Sequence, residues 1–171
     1  SDFLTQGPQV PAFEAAVAQA TGAAHAVAVN SATSALHIAC LALGLGRGDL
    51  LWTTPITFVA TANVGLLCGA EVDFVDVDSE TANMCPEKLA EKLAAAERIG
   101  RLPKVLIPVH RCGPSCAMAA ISALARRYRV KVIEDASHAI GGALKASSNQ
   151  VAKNLSKGNT PALILQTGVV L

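Results

Sequence analysis

The sequence predicts an α/β domain, a mostly parallel sheet with helices on both faces, and three observations carry that expectation. Helix-like and strand-like segments alternate through the first 144 of the 171 residues, the pattern of successive βα units. Residues 130–133 read as an apolar strand of the kind buried on both faces of a sheet. Residues 31–43 and 57–68 read as helices that are apolar almost all round, as buried helices are.

Taken in order, residues 11–19 carry helix formers, and Gly22 is placed to stop them. Residues 25–29 read as a strand and 31–43 as a helix, with Gly44 as its stop. Residues 50–53 are a short strand closed by Pro55. The helix at 57–68 ends at Gly69, and 71–77 is a strand whose apolar residues are Val72, Phe74, Val75 and Val77. Pro86 opens an amphipathic helix at its first position. Leu89, Leu93 and Ala96 form that helix's buried stripe, with Glu87, Lys88, Glu91 and Lys92 toward water. Residues 104–109 are a strand. Residues 116–128 are a helix with Ile121, Leu124 and Tyr128 inward and Arg126 and Arg127 outward. From Lys145 the character changes: 145–150 is polar without period, and 162–165 and 169–171 are apolar scraps with no matching architecture. The expected organisation is one domain over 1–144 and a separate tail over 145–171.

Composition narrows the function classes. Hydrophobic residues make up 51% and charged residues 16%, which is the balance of a packed domain, not a disordered one. Fourteen basic and thirteen acidic residues leave a net charge of +1, so no electrostatic pull toward nucleic acid or an anionic membrane is present. No apolar run reaches 18 residues, and residues 1–5 lack the pattern of a signal peptide. Five cysteines, an odd number, fit a reducing cytoplasm.

Three strand ends carry candidate chemistry, because open α/β sheets bind ligands beyond the carboxyl ends of their strands. At Asn30-Ser31-Ala32-Thr33-Ser34 a strand gives way to a helix. Free amides there, with the Ser31 and Thr33 hydroxyls, could cradle a phosphate; ordinary N-capping is the competing reading. At Glu134-Asp135-Ala136-Ser137-His138 a carboxylate follows a buried strand. It suits either a cationic ring nitrogen or simple bonding to nearby backbone. At His110-Arg111-Cys112-Gly113-Pro114-Ser115-Cys116 a metal reading lacks a fourth ligand and a Cys-x-x-Cys pair. The glycines at 44, 46 and 48 follow a helix, so they lack the setting of a dinucleotide loop.

These pieces, in this order, resemble the DegT/DnrJ/StrS family of pyridoxal-phosphate (PLP) sugar aminotransferases. The resemblance rests on four segments in register. They are Phe3-Leu4-Thr5-Gln6-Gly7-Pro8, Asn30 through His37, Pro55 through Asn63, and Glu134 through Gly141. Within the family, the chain is most similar to 4-aminotransferases of UDP-linked 4-keto-6-deoxy-N-acetylhexosamines in pseudaminic-acid-type pathways. The resemblance implies the large domain of a fold-type-I PLP enzyme, here truncated, working in the cytoplasm as a homodimer. It implies amino transfer, from a donor such as glutamate, to a nucleotide-linked keto sugar. By resemblance, Ser31, Ala32 and Thr33 hold the cofactor phosphate, and Phe58 stacks on the pyridine ring unless it is a core aromatic. Asp135 pairs with the ring nitrogen, and His138 sits beside the ring. Thr5, Gln6 and Gly7 border the sugar-nucleotide entrance.

The sequence also departs from the family pattern. Pro114 stands where a Gln is usual and Ala117 where an Asp is common, while Arg111 and Cys112 replace apolar or aromatic residues. The Ser-Phe-x-x-x-Lys segment that supplies the Schiff-base lysine does not follow Asp135; the later lysines are Lys145, Lys153 and Lys157. By the same resemblance, residues before Ser1 and a second domain belong to the complete protein, and the tail reads as a shifted frame or unrelated sequence. Two further readings stand beside aminotransfer. One is a sugar dehydratase of the same family, in which a histidine replaces the lysine. The other is an inert fragment that binds only phosphate ligands or a partner subunit.

Overall fold

The computed structural model describes residues 7–111 and 115–139, together with the backbone of 163–166 and 169–170. Helix α1 spans Gln9–Thr21 and stops at Gly22, whose φ of 71° lies in the left-handed region. Strand β1 (Val27–Ala28) leads into α2 (Ala32–Ala42), and β2 (Leu50–Thr53) into α3 (Ala60–Leu67). Strand β3 (Glu71–Phe74) precedes α4 (Pro86–Arg98), and β4 (Val105–Leu106) precedes α5 (Met118–Tyr128). Strand β5 (Lys131–Asp135) follows at once; β6 (Leu163–Gln166) and β7 (Val169–Val170) complete the described sheet.

The strand order is β1-β7-β6-β5-β4-β2-β3. Strands β3, β2, β4, β5 and β6 are parallel, while β7 runs antiparallel to both β6 and β1. Two successive reversals restore direction, so β1 points the same way as β5. The expectation of a mostly parallel sheet therefore holds. The tail departs from expectation: the scraps read at 162–165 and 169–171 form β6 and β7, and β6 pairs Leu165 with Asp135.

Alternation along the strands divides the core in two, because successive side chains leave opposite faces. Trp52, Leu106 and Val132 go to one face, where Leu89, Leu93 and Ala96 of α4 and Ile121, Ala125 and Tyr128 of α5 cover them. Leu51, Val105, Ile107 and Ile133 go to the other, beneath Ala35, Leu36, Ala39 and Cys40 of α2 and Val64 of α3. Helices thus lie on both faces. The stripe read from α4 is the buried one, and β5 is buried on both faces at Val132 and Ile133, with Lys131 half-buried.

Two expectations need correction. Helices α2 and α3 are not buried all round: Ile38 and Leu41 on α2, and Leu66 and Leu67 on α3, face outward. The sheet covers one side of each helix, and no described element covers the other. Lys92 does not simply face water either. It folds back to pair with Asp73, donates to the Phe74 carbonyl, and lies 4.8 Å from the centre of the Trp52 ring. With the Phe74 amide donating to the Asp73 carboxylate, both outward backbone groups of Phe74 on the open edge of β3 are occupied, which discourages a further strand from pairing there.

Candidate active site

The alternation that splits the core also sorts the residues at the end of β5. Asp135 shares parity with Ile133 and emerges on the α2/α3 face, whereas Glu134 shares parity with Val132 and emerges on the α4/α5 face. Each finds different partners for that reason.

Asp135 is the last residue of the central strand and is 5% exposed. Its backbone continues the ladder, donating to the Pro108 carbonyl and accepting from the His110 amide. The Ser137 amide (3.2 Å) and the Ser137 hydroxyl both donate to Oδ1. The Thr61 hydroxyl on α3 donates to Oδ2 at 3.3 Å. An ionised carboxylate has about four acceptor positions. Three are filled among the described residues, and the position left over is on Oδ2.

Thr61 is itself in contact with Thr57, hydroxyl to hydroxyl at 2.9 Å. Between them in sequence stands Phe58, 74% exposed. The core-aromatic reading of Phe58 is therefore excluded, and its ring is available at the edge where Asp135 ends. The helix itself starts at Ala60, three residues later than the sequence pattern placed it.

The turn at Ser31 opens α2 on the same face. Because β1 runs parallel to β5, the residues after β1 also lie at the same sheet edge as Asp135. Ser31 adopts extended backbone (φ −163°), and its hydroxyl accepts from the Ser34 amide at 3.2 Å. The Ser34 hydroxyl in turn donates to Asn30 at 2.7 Å. The N-capping reading is thus what the geometry shows for the Ser31 side chain. The amides of Ala32 and Thr33 belong to the first turn, whose N–H groups have no acceptor within a helix, and Thr33 is exposed. They retain the capacity to receive an anion, which the positive end of the helix dipole favours. His138 is exposed and Gly7 half-buried, while Thr5 and Gln6 lie outside the described residues.

On the opposite face Glu134 meets His110, Nε2 to Oε2 at 3.2 Å. Burial disfavours a charge on this ring, yet hydrogen bonds to Cys116 and Glu134 draw its pKa up to about 9. One contact opposes that rise. The Cys116 amide donates to Nδ1 at 3.1 Å, a bond that only an unprotonated Nδ1 accepts, and in that form the Nε2–H donates to Glu134. The pair ties the β4–α5 connection to the end of β5. No cluster of metal-ligating groups occurs among the described residues, and Cys112 lies outside them. Burial, with a smaller contribution from Cys68, pushes the Cys40 thiol up to about 12, so it stays protonated.

Asp135, Phe58 and the Ser31 turn, each singled out in the sequence, lie at one edge and on one face of the sheet. Thr61 and Ser137, which bond the Asp135 carboxylate, and Thr57, which contacts Thr61, are not among the residues singled out. A local signal existed for two of them, since Thr57 and Thr61 stand four apart in sequence on either side of the aromatic.

The chain belongs to the DegT/DnrJ/EryC1/StrS aminotransferase family, whose sequence profile matches residues 1–155. It is 45% identical over 140 residues to the spore coat polysaccharide biosynthesis protein SpsC of Bacillus subtilis (strain 168). That match covers 82% of this chain and 34% of SpsC. Among solved structures, a DegT/DnrJ/EryC1/StrS aminotransferase from Brucella abortus is 40% identical with a TM-score of 0.75, over 79% of this chain and 36% of that one. NtdA from Bacillus subtilis, solved with bound cofactor PMP, is 34% identical with a TM-score of 0.73, over 80% and 30%. The chain therefore spans about a third of the length of these relatives. Among the described residues no helix is long and apolar enough to cross a membrane.

Proposed function

We propose that this chain holds the phosphate and ring-nitrogen ends of PLP for an aminotransferase acting on a nucleotide-linked keto sugar. The observation that carries the reading is the state of Asp135: buried, at the carboxyl end of the central strand, with three acceptor positions filled among the described residues and one left on Oδ2. A pyridinium N–H is a single cationic donor and matches that vacancy. When bound, PLP supplies an electron sink for charge developing on the substrate carbon.

The protein's part in that chemistry is to hold and orient. Asp135 keeps a proton on the ring nitrogen by pairing a fixed negative charge with it. Phe58 offers an apolar face against which the ring lies, and water is excluded from that side. The amides of Ala32 and Thr33, with the Thr33 hydroxyl, bind the phosphate at the start of α2, oriented by the Ser31 cap. His138 stands beside the ring, and Thr5, Gln6 and Gly7 border the approach of the sugar nucleotide. Glutamate is the proposed amino donor and the cytoplasm the proposed compartment. The name of SpsC, a polysaccharide biosynthesis protein, supports a role in making amino sugars. Exposed Ile38, Leu41, Val59, Leu66 and Leu67 on or beside α2 and α3 support a homodimer that covers them.

Amino transfer also requires a lysine amine as covalent partner and proton carrier. Lys145, Lys153 and Lys157 are the lysines after Asp135. None has the Ser-Phe-x-x-x-Lys setting, and all lie outside the described residues. With no lysine in that setting, the chain by itself is proposed to bind cofactor without turning it over. The test is equilibrium dialysis against pyridoxamine phosphate (PMP), which has no aldehyde to capture stray lysines. One equivalent retained by the wild-type chain, and lost on adding excess inorganic phosphate, is the expected outcome. Failure to retain PMP at any concentration below millimolar overturns the reading.

A further inference from the structure

We infer that Thr61 is a positioning residue for Asp135, and that the Thr57–Thr61 pair locks the aromatic shelf of Phe58 to the carboxylate. The inference rests on the cofactor reading above. An ionised carboxylate only accepts hydrogen bonds, so the Thr61 hydroxyl must donate to Oδ2. Its single proton is then used. In the 2.9 Å contact with Thr57, Thr61 must be the acceptor and Thr57 the donor. The chain has one direction, from Thr57 through Thr61 to Asp135, and it ends on the oxygen that also carries the open position.

Two consequences follow from the geometry. Ser137 holds Oδ1 through two bonds from within the same turn. Thr61 holds Oδ2 from a different element, α3, 74 residues away in sequence, and so ties the carboxylate to that helix. Phe58 lies one turn before Thr61, and the Thr61 amide donates to the Phe58 carbonyl at 3.0 Å. The ring-nitrogen contact and the ring-face contact therefore keep a set spacing, because both depend on the turn that leads into α3. Thr61 is 1% exposed, too buried to touch a ligand itself, and acts only through Asp135.

The experiment compares the affinity of the full chain for PMP and for its 1-deaza analogue, in which CH replaces the ring nitrogen. In Thr61→Val the hydroxyl is lost and the shape nearly kept. With Oδ2 no longer held, PMP affinity should fall about tenfold, about 1.4 kcal/mol. Affinity for the deaza analogue should not change, because it makes no bond to Oδ2. Thr61→Ser, which keeps the hydroxyl, should bind PMP within about twofold of wild type. If valine is not tolerated at this buried site, Thr61→Ser against Thr61→Ala isolates the same hydroxyl. Equal PMP affinity with and without the hydroxyl, or an equal loss for both ligands, overturns the inference while leaving the cofactor reading intact. A wild-type chain that binds neither ligand sinks both.

Discussion

Of the described glycines, Gly65 has the tightest surroundings, and replacing it with alanine gives a result whose sign tests the structure. A β-carbon at Gly65 would stand 2.8 Å from Val72 Cγ2 and 3.3 Å from both Cβ and Cδ1 of Leu51. Alanine in a helix is favoured over glycine by about 1 kcal/mol, so propensity alone makes Gly65→Ala stabilising. Against it, Val72 is half-buried on the edge strand and can rotate, but Leu51 is fully buried in β2 and cannot withdraw. Overpacking of this kind costs about 1–3 kcal/mol. The difference is a net loss of about 0–2 kcal/mol, which for a chain of this size lowers Tm by about 2–4 °C per kcal/mol. Helix α3 must also lift from the sheet, drawing Thr61 away from Asp135, so affinity for PMP should fall along with stability. Thermal unfolding followed by the fluorescence of Trp52, the single and buried tryptophan, measures the first effect. A rise in Tm would mean that α3 does not approach β2 as closely as described.

Three further substitutions separate folding from binding. Phe58→Ala should leave stability within about 0.5 kcal/mol of wild type, as exposed sites do, yet weaken PMP binding in equilibrium dialysis; a large loss of Tm would return Phe58 to the core. Leu93→Ala removes a fully buried side chain from the α4 stripe and should cost about 2–5 kcal/mol in urea unfolding, with a smaller loss indicating that α4 packs loosely. Lys92→Ala frees the Phe74 carbonyl at the sheet edge and removes the cation beside Trp52. It should shift the tryptophan emission and raise the aggregation rate in light scattering, and a variant that stays as dispersed as wild type would show that the edge needs no guard.

Much of the architecture was legible because it is local. The α4 stripe follows from period alone, and Pro86 at its start is a residue-level signal with a mechanism. Strand β5 was legible because Val132 and Ile133 are apolar on both faces. Strands β1 and β4 have two residues each, too few to show a period, and their bounds were overestimated. Strands β6 and β7 escaped for a different reason. Their segments are unremarkable alone and acquire strand structure by pairing with β5, with each other and with β1. Apolar residues at Ile38, Leu41, Leu66 and Leu67 suggested full burial, since composition cannot tell a face that meets the sheet from one that does not.

The site divides along the same line. Asp135 and the Ser31 turn were visible because strand-end chemistry is written in consecutive residues. The opposite fates of Glu134 and Asp135 depend only on alternation, and could have been derived once β5 was placed. The bond from Thr61 to Asp135 joins residues far apart in sequence, and it exists because α3 crosses the face on which Asp135 emerges. That relation belongs to the fold and no local pattern contains it.

The central claim is that Asp135 holds a proton on a pyridine ring nitrogen. It is tested most directly by the nitrogen-15 chemical shift of ring-labelled PMP bound to the chain, measured above the pH at which free PMP loses that proton. The expected result is a protonated ring nitrogen in the wild type and an unprotonated one in Asp135→Asn, with the phosphorus-31 signal showing that the phosphate stays bound in both. A ring nitrogen unprotonated in the wild type, or protonated equally in the variant, would contradict the assignment of Asp135.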